Sequence, residues 1–314
     1  MRAIPSGPPS LHSPPGGAIL IPAFTQVTDS GEHAEPVPTA DGYVGMSSED
    51  GWMDLGLTDR VVLVTGGTGG IGYAVCESLV AEGTRVALCS RDAARCRDAA
   101  LSLGAGASGF RADVSKPDSG AQLVSDVVDE FGRLDAVVNN AGRFGGGRAV
   151  EATGEGYREG FDTKVLGALA LVRAALPHLR RGNQARVVNV SGISANKVLN
   201  GAVVTAVANA ALLSLTAYLA NELIADGVNV CGVVPGYVLT PPWRERTQAV
   251  ADAEGVDFET AKQIVLDRQG LGHARWGEAR EIADVVTFLL SRQASFMNGT
   301  VFRVDGGQFP TVRY

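Results

Sequence analysis

From residue 59 onward, short valine-rich runs alternate along the chain with longer segments of helical pattern. The runs cover residues 60–64, 85–89, 108–112, 134–139, 186–190, 228–234 and 300–304. Their near-continuous apolar character predicts strands buried on both faces. Their alternation with helices predicts one α/β domain built on a doubly wound, seven-stranded parallel sheet. In such a sheet, ligands gather at the carboxyl ends of the strands. Residues 198–221 carry no charge yet have helical composition over most of their span. A helix of that kind has to be covered nearly all round, and one sheet layer covers only one side. The expected remedy is a second copy, in a homodimer or homotetramer.

Composition narrows the picture. The net charge is −7 and the 27 lysines and arginines are dispersed, with no basic stripe for nucleic acid or an anionic membrane. A small-molecule partner is expected instead. No apolar run was expected to reach the roughly 18 residues of a membrane span. Cys76, Cys89, Cys96 and Cys231 form no C-x-x-C pair and read as buried, reduced thiols, which fits a cytoplasmic location. Residues 1–52 hold eight of the 14 prolines and lack apolar periodicity, so they read as a disordered Pro/Gly-rich leader to a domain at 53–314. Pro22 interrupts the leader's apolar patch, which makes it a poor signal sequence. Met46 and Met53 offer alternative starts just before the domain.

Thr65-Gly66-Gly67-Thr68-Gly69-Gly70-Ile71-Gly72 joins the first strand to the first helix. Glycines there let the backbone turn tightly and approach a pyrophosphate, with the helix start aimed at the anion. Asn139-Asn140-Ala141-Gly142 ends the fourth strand, Pro235-Gly236-Tyr237-Val238-Leu239-Thr240-Pro241 follows the sixth, and Asp305-Gly306-Gly307 follows the seventh.

With these motifs the chain resembles the short-chain dehydrogenase/reductase family from Leu57 to Phe309. The resemblance implies a Rossmann-type sheet, a nicotinamide cofactor and usually a dimer or tetramer. It places Gly66, Thr68, Gly70, Ile71 and Gly72 at the phosphates and Asp113 and Val114 at the adenine. Asn140, Ala141, Gly142 and Asn209 are expected along the cofactor, with Pro235, Gly236, Val238 and Thr240 against the nicotinamide carboxamide and phosphates. The second strand ends in Ser90-Arg91, where an NAD(H) site would carry an acidic residue. A guanidinium there suits the 2′-phosphate of NADP(H).

The expected proton chemistry is missing. The family carries a serine after the fifth strand, a tyrosine 13 residues on, a lysine four beyond that, and an asparagine on the preceding helix. Aligned without gaps, those positions hold Gly192, Thr205, Asn209 and Lys164. A phenol serves as an acid/base when an ammonium stabilises its anion; an aliphatic hydroxyl and a carboxamide cannot take over that work. Such a relay is worth roughly 10²- to 10⁴-fold in rate.

Lys164 and, from the rim, Tyr237 are the candidate replacements. Ser191 and Ser194 read as loop hydrogen-bonders, Lys197 as solvated, and His178 as a helix-end residue. His273 has no visible partner, and no metal-ligand cluster or nucleophile triad is visible. Residues 242–276, with Trp243, Val250, Phe258 and Ile264, correspond to a substrate lid. The reading is an NADP(H)-binding oxidoreductase acting on a small organic substrate by an atypical mechanism. Its alternatives are a non-redox cyclase, isomerase or dehydratase, or a silent subunit paired with an active relative.

Overall fold

The computed structural model describes residues 54–142, 145–182 and 184–309; the leader and residues 310–314 lie outside them. Seven parallel strands run in the order β3-β2-β1-β4-β5-β6-β7. They are β1 (Val61–Thr65), β2 (Arg85–Ser90), β3 (Ala107–Arg111), β4 (Ala136–Asn139), β5 (Ala185–Val190), β6 (Val228–Pro235) and β7 (Val301–Val304). The order reverses between β1 and β4, and that switch point opens the crevice in which such sheets bind ligands. This is the doubly wound Rossmann-type domain expected from the sequence.

The valine-rich strands are β-branched and fully buried in the centre: every residue of β1, β4, β5 and β6 is covered. Helices α1 (Gly70–Ala81) and α9 (Ala279–Leu290) cover one face, closing a core around Val62, Val64, Leu79, Val86 and Ile282. Helices α3 (Ser119–Phe131), α5 (Gly167–Leu179) and α6 (Val203–Leu223) cover the other, around Leu63, Leu123, Leu171 and Val187. Local signals set several helix starts. The Asp92 carboxylate accepts the Ala94 and Arg95 N–H groups at α2 (Ala93–Leu103). Thr153 caps α4 (Gly154–Phe161), and Glu278 with Glu281 forms a capping box at α9.

Two expectations need correction. Burial on both faces fails for β3 and β7, which are edge strands with alternating partial exposure. The charge-free segment, as expected, is not covered all round by its own chain. Val198 lies in an exposed loop, the helix starts at Val203, and Val207 and Tyr218 of α6 are 41% and 67% exposed. Val203–Asp226 also has the length and hydropathy of a membrane span, contrary to the expectation of no such run. Its inward face, including Val204, Leu212, Leu219 and Leu223, is nonetheless core. All four cysteines are free and buried.

Candidate active site

A cleft of 640 Å³ opens at the carboxyl ends of β1, β4, β5 and β6. One wall is the turn from β1 into α1. Gly66 and Gly70 there have φ of +65° and +55°, which a side chain would strain. At Gly72 a Cβ would lie 2.2 Å from the Gly66 carbonyl oxygen, so glycine is what lets α1 close on the loop. The Asn140 amide clamps that turn by donating to the Thr65 and Gly66 carbonyls at 3.0 and 3.2 Å. The Thr65 hydroxyl returns the tie by accepting from the Asn140 and Ala141 N–H groups.

Helix α1 begins with no side-chain cap and no acidic residue in its first turn, leaving its N–H groups to the cleft. Thr240 stands over it, its methyl 3.2 Å from where a Gly70 Cβ would sit. The Thr240 hydroxyl is buried without a hydrogen-bond partner. An uncapped helix start, with a buried unpartnered hydroxyl on the residue beside it, fits the phosphates of a dinucleotide. Arg95, which the motif reading missed, also lines the cleft, with Nη2 3.6 Å from the Cβ position of Gly69.

Of the residues expected at the cofactor, Gly66, Thr68, Gly70, Ile71, Asn140, Ala141, Gly142, Asn209, Pro235, Gly236, Val238 and Thr240 line this cleft. Gly72 supports it from behind. Ser90, Arg91, Asp113 and Val114 lie outside its lining, at and after the ends of β2 and β3. The Ser90 hydroxyl is held in its own turn, bonding to the Asp92 carbonyl at 3.2 Å, while Arg91 is exposed. Asp113 accepts from the Ser115 hydroxyl at 2.7 Å, which holds its carboxyl below the usual range; Arg91 and Lys116 add to this. Val114 adjoins a second, water-sized cavity bounded by Thr65, Asn139, Thr163 and Lys164.

The opposite wall carries Lys164, Gly192, Thr205 and Asn209. Lys164 sits in a π-helical turn, Asp162–Leu166, inserted between α4 and α5. Such turns are rare and concentrate at functional sites. The side chain reaches into the cleft, where a Cβ on Gly142 would lie 3.2 Å from Nζ. What surface Lys164 keeps is cleft wall, and burial lowers its ammonium from the ordinary lysine range to about 8. Among the described residues, no carboxylate or acceptor pairs with it.

The other candidates are spoken for. The Thr205 hydroxyl donates to the Gly145 carbonyl and accepts the Gly145 N–H, both at 2.9 Å, so it ties the loop after β4 to α6 and is no free proton donor. The Asn209 amide donates to Ser194 Oγ at 3.0 Å, and the Ser191 hydroxyl donates to the Asn209 carbonyl at 3.0 Å. Asn209 also explains Gly192, where a Cβ would lie 2.8 Å from Asn209 Nδ2. Tyr237 is 3% exposed, with ring centroids 4.7 Å from Trp243 and 5.6 Å from Trp276. Burial pushes its phenol up to about 12, and its ring packs against both tryptophans.

That aromatic trio packs in one core cluster with helices α7 (Pro241–Glu254) and α8 (Phe258–Arg268), and α7 borders the cleft. Trp243, Pro241, Pro242, Glu245 and Arg246 of α7 line it. Lys197 is half-buried beyond the cleft lining, His178 occupies the last turn of α5, and His273 is exposed.

Fold and cleft together define a domain of the dinucleotide-binding type. A family model described as enoyl-(acyl carrier protein) reductase matches residues 66–308. L-fucose dehydrogenase from Bos taurus is 34% identical over 249 residues, covering 79% of this chain and 88% of the relative. L-sorbose reductase from Gluconobacter frateurii, solved with NADPH and L-sorbose, superposes with a TM-score of 0.79 at 31% identity, over 83% of this chain and all of that one. A short-chain oxidoreductase from Pseudomonas aeruginosa PAO1, described as containing an atypical catalytic center, gives 0.76 at 30% identity, over 82% and 99%. The chain belongs to the short-chain dehydrogenase/reductase family.

Proposed function

We propose that this chain is an NADP(H)-dependent oxidoreductase for a small organic substrate, working without the family's tyrosine and lysine relay. NADP(H), when bound, supplies or accepts the hydride. It would be held by the α1 start, Thr240 and Arg95 at its phosphates, with Arg91 available to a 2′-phosphate. The NADPH carried by the solved L-sorbose reductase supports that choice, and the relative with an atypical center supports a departure from the usual chemistry.

The observation that carries the reading is Lys164, an unpaired ammonium inside the same cleft as an intact phosphate cradle. A substrate carbonyl oxygen gains negative charge during hydride addition. An ammonium in a water-poor cleft stabilises that charge and can hand over its proton. Asn209, Ser194 and Thr205 then position backbone and loop, while Tyr237, Trp243 and Trp276 keep water from that end. The test is NADPH oxidation across a panel of carbonyl compounds, with Lys164→Met as control. Turnover abolished in the variant at unchanged NADPH affinity supports the reading, and equal turnover in both sinks it.

We further propose that a second copy covers α6. Val207 and Tyr218 on its outer face, with Leu166 at the end of the π-turn, are large apolar groups exposed on the isolated chain. Light scattering is expected to give twice or four times the chain mass; a sharp monomer mass would refute it.

A further inference from the structure

Lys164 is the one lysine that lines the cleft among the described residues. Its neighbours leave the amine uncommitted. Asp162, two residues earlier, and Glu245, across the cleft, form no ion pair with it. Gly142 presents no side chain to it: a Cβ there would come within 3.2 Å of Nζ and 3.5 Å of Cδ. The nearby candidates for proton donation are engaged elsewhere, Thr205 with Gly145 and Asn209 with Ser194. Tyr237 and Trp243, their rings tilted 47° to one another, give the same cleft an aromatic side. A bound carbonyl compound therefore meets a primary amine that no carboxylate among the described residues pairs with, in a cleft that also offers apolar surface.

We propose that Lys164 is a nucleophile that captures α,β-unsaturated aldehydes or ketones as an imine and thereby makes them hydride acceptors. In the capture, a bond forms between Nζ and the carbonyl carbon, the C–O bond breaks, and the oxygen leaves as water with both amine protons. Protonation of the imine nitrogen restores one positive charge where the ammonium stood. The β-carbon then accepts hydride from the reduced nicotinamide, the C=C pair shifts to join the α-carbon to the former carbonyl carbon, and the C=N pair moves onto nitrogen. The resulting enamine takes a proton from water at the α-carbon, and hydrolysis returns the saturated carbonyl compound and free Lys164. Hydride delivered to the imine carbon would instead leave Lys164 alkylated, which is why conjugated substrates are the class that fits. The nitrogen becomes the electron sink, so no phenol is needed to protonate a carbonyl oxygen. Burial supports this, because an amine lowered to about 8 is neutral in roughly one molecule in ten at pH 7. The hydride step rests on the oxidoreductase reading, whereas the capture does not.

The test treats the full chain with cinnamaldehyde and sodium cyanoborohydride, without nicotinamide, and maps the product by peptide mass. All four cysteines are buried, which limits competing addition to thiols. The label is expected on Lys164 at least about 10-fold over Lys116, Lys197 and Lys262, and to be lost in Lys164→Arg, which keeps the charge without an ordinary amine. An even spread over the lysines, or none on Lys164, overturns the capture even if NADPH is still oxidised. NADPH-dependent reduction of cinnamaldehyde that persists in Lys164→Arg overturns it as well. Label on Lys164 with no NADPH oxidation by any carbonyl compound overturns the hydride step and, separately, the oxidoreductase reading.

Discussion

The two walls of the cleft are built on opposite principles. On the cofactor wall, geometry is fixed by backbone: positive φ at Gly66 and Gly70, a 2.2 Å approach at Gly72, and carbonyls clamped by Asn140. On the reaction wall, side chains settle the matter, and they interlock as a set. Gly192 leaves room for the Asn209 amide, and the Thr205 hydroxyl is spent on Gly145. A backbone cradle tolerates almost no substitution, whereas a wall built of side chains can vary without disturbing the fold. Binding and chemistry can therefore part within one cleft.

The sharpest way to break this comparison is to remove the Lys164 charge. Lys164→Met is expected to lower turnover by about 10²- to 10⁴-fold, with the NADPH dissociation constant within about threefold of wild type by calorimetry. The pH profile probes the same group. Lys164 donates only when protonated, so turnover on a saturated carbonyl substrate is expected to be full below pH 8 and to fall as pH rises through about 8. A steady-state rate profile that stays flat from pH 7 to 10 would contradict that assignment.

On the cofactor wall, Gly72→Ala forces a Cβ against backbone that cannot yield. It is expected to cost about 3 kcal/mol in urea unfolding and to weaken NADPH binding at least about 10-fold. A smaller effect separates the walls further. Gly192→Ser, which restores the family's serine, meets Asn209 Nδ2 and is expected to destabilise by about 1 kcal/mol without raising turnover. Asn209→Ala should relieve most of that cost in a double-mutant cycle. The mildest change is Arg95→Ala, expected to raise the NADPH dissociation constant about fivefold, or about 1 kcal/mol, at unchanged maximal turnover.

How much of this was legible in sequence follows the same division. The turn at 65–72 is local, and its glycines announce both their spacing and their place between a strand and a helix. The strands were legible to within a residue or two because burial writes itself as runs of valine. β4 starts later than expected, at Ala136, because the Asp135 carboxylate takes the Val61 N–H in place of a ladder bond. The reaction wall depends on pairs far apart in the chain: Thr205 with Gly145, Asn209 with Ser194, Arg95 near Gly69. No local pattern marks such meetings. The π-turn at Lys164 is a change of helical winding that leaves the apolar pattern intact, so only coordinates reveal it. The lack of charge in residues 198–221 announced a face left uncovered by its own chain, but not that Val207 and Tyr218 would form it.

The most direct measurement is a calorimetric titration of NADPH into the full chain, run in parallel on Gly72→Ala and Lys164→Met. Micromolar binding that collapses in Gly72→Ala and survives in Lys164→Met is the result this account expects. Absence of binding up to millimolar NADPH, or equal loss in both variants, would contradict the separation of a working cofactor wall from a rebuilt reaction wall.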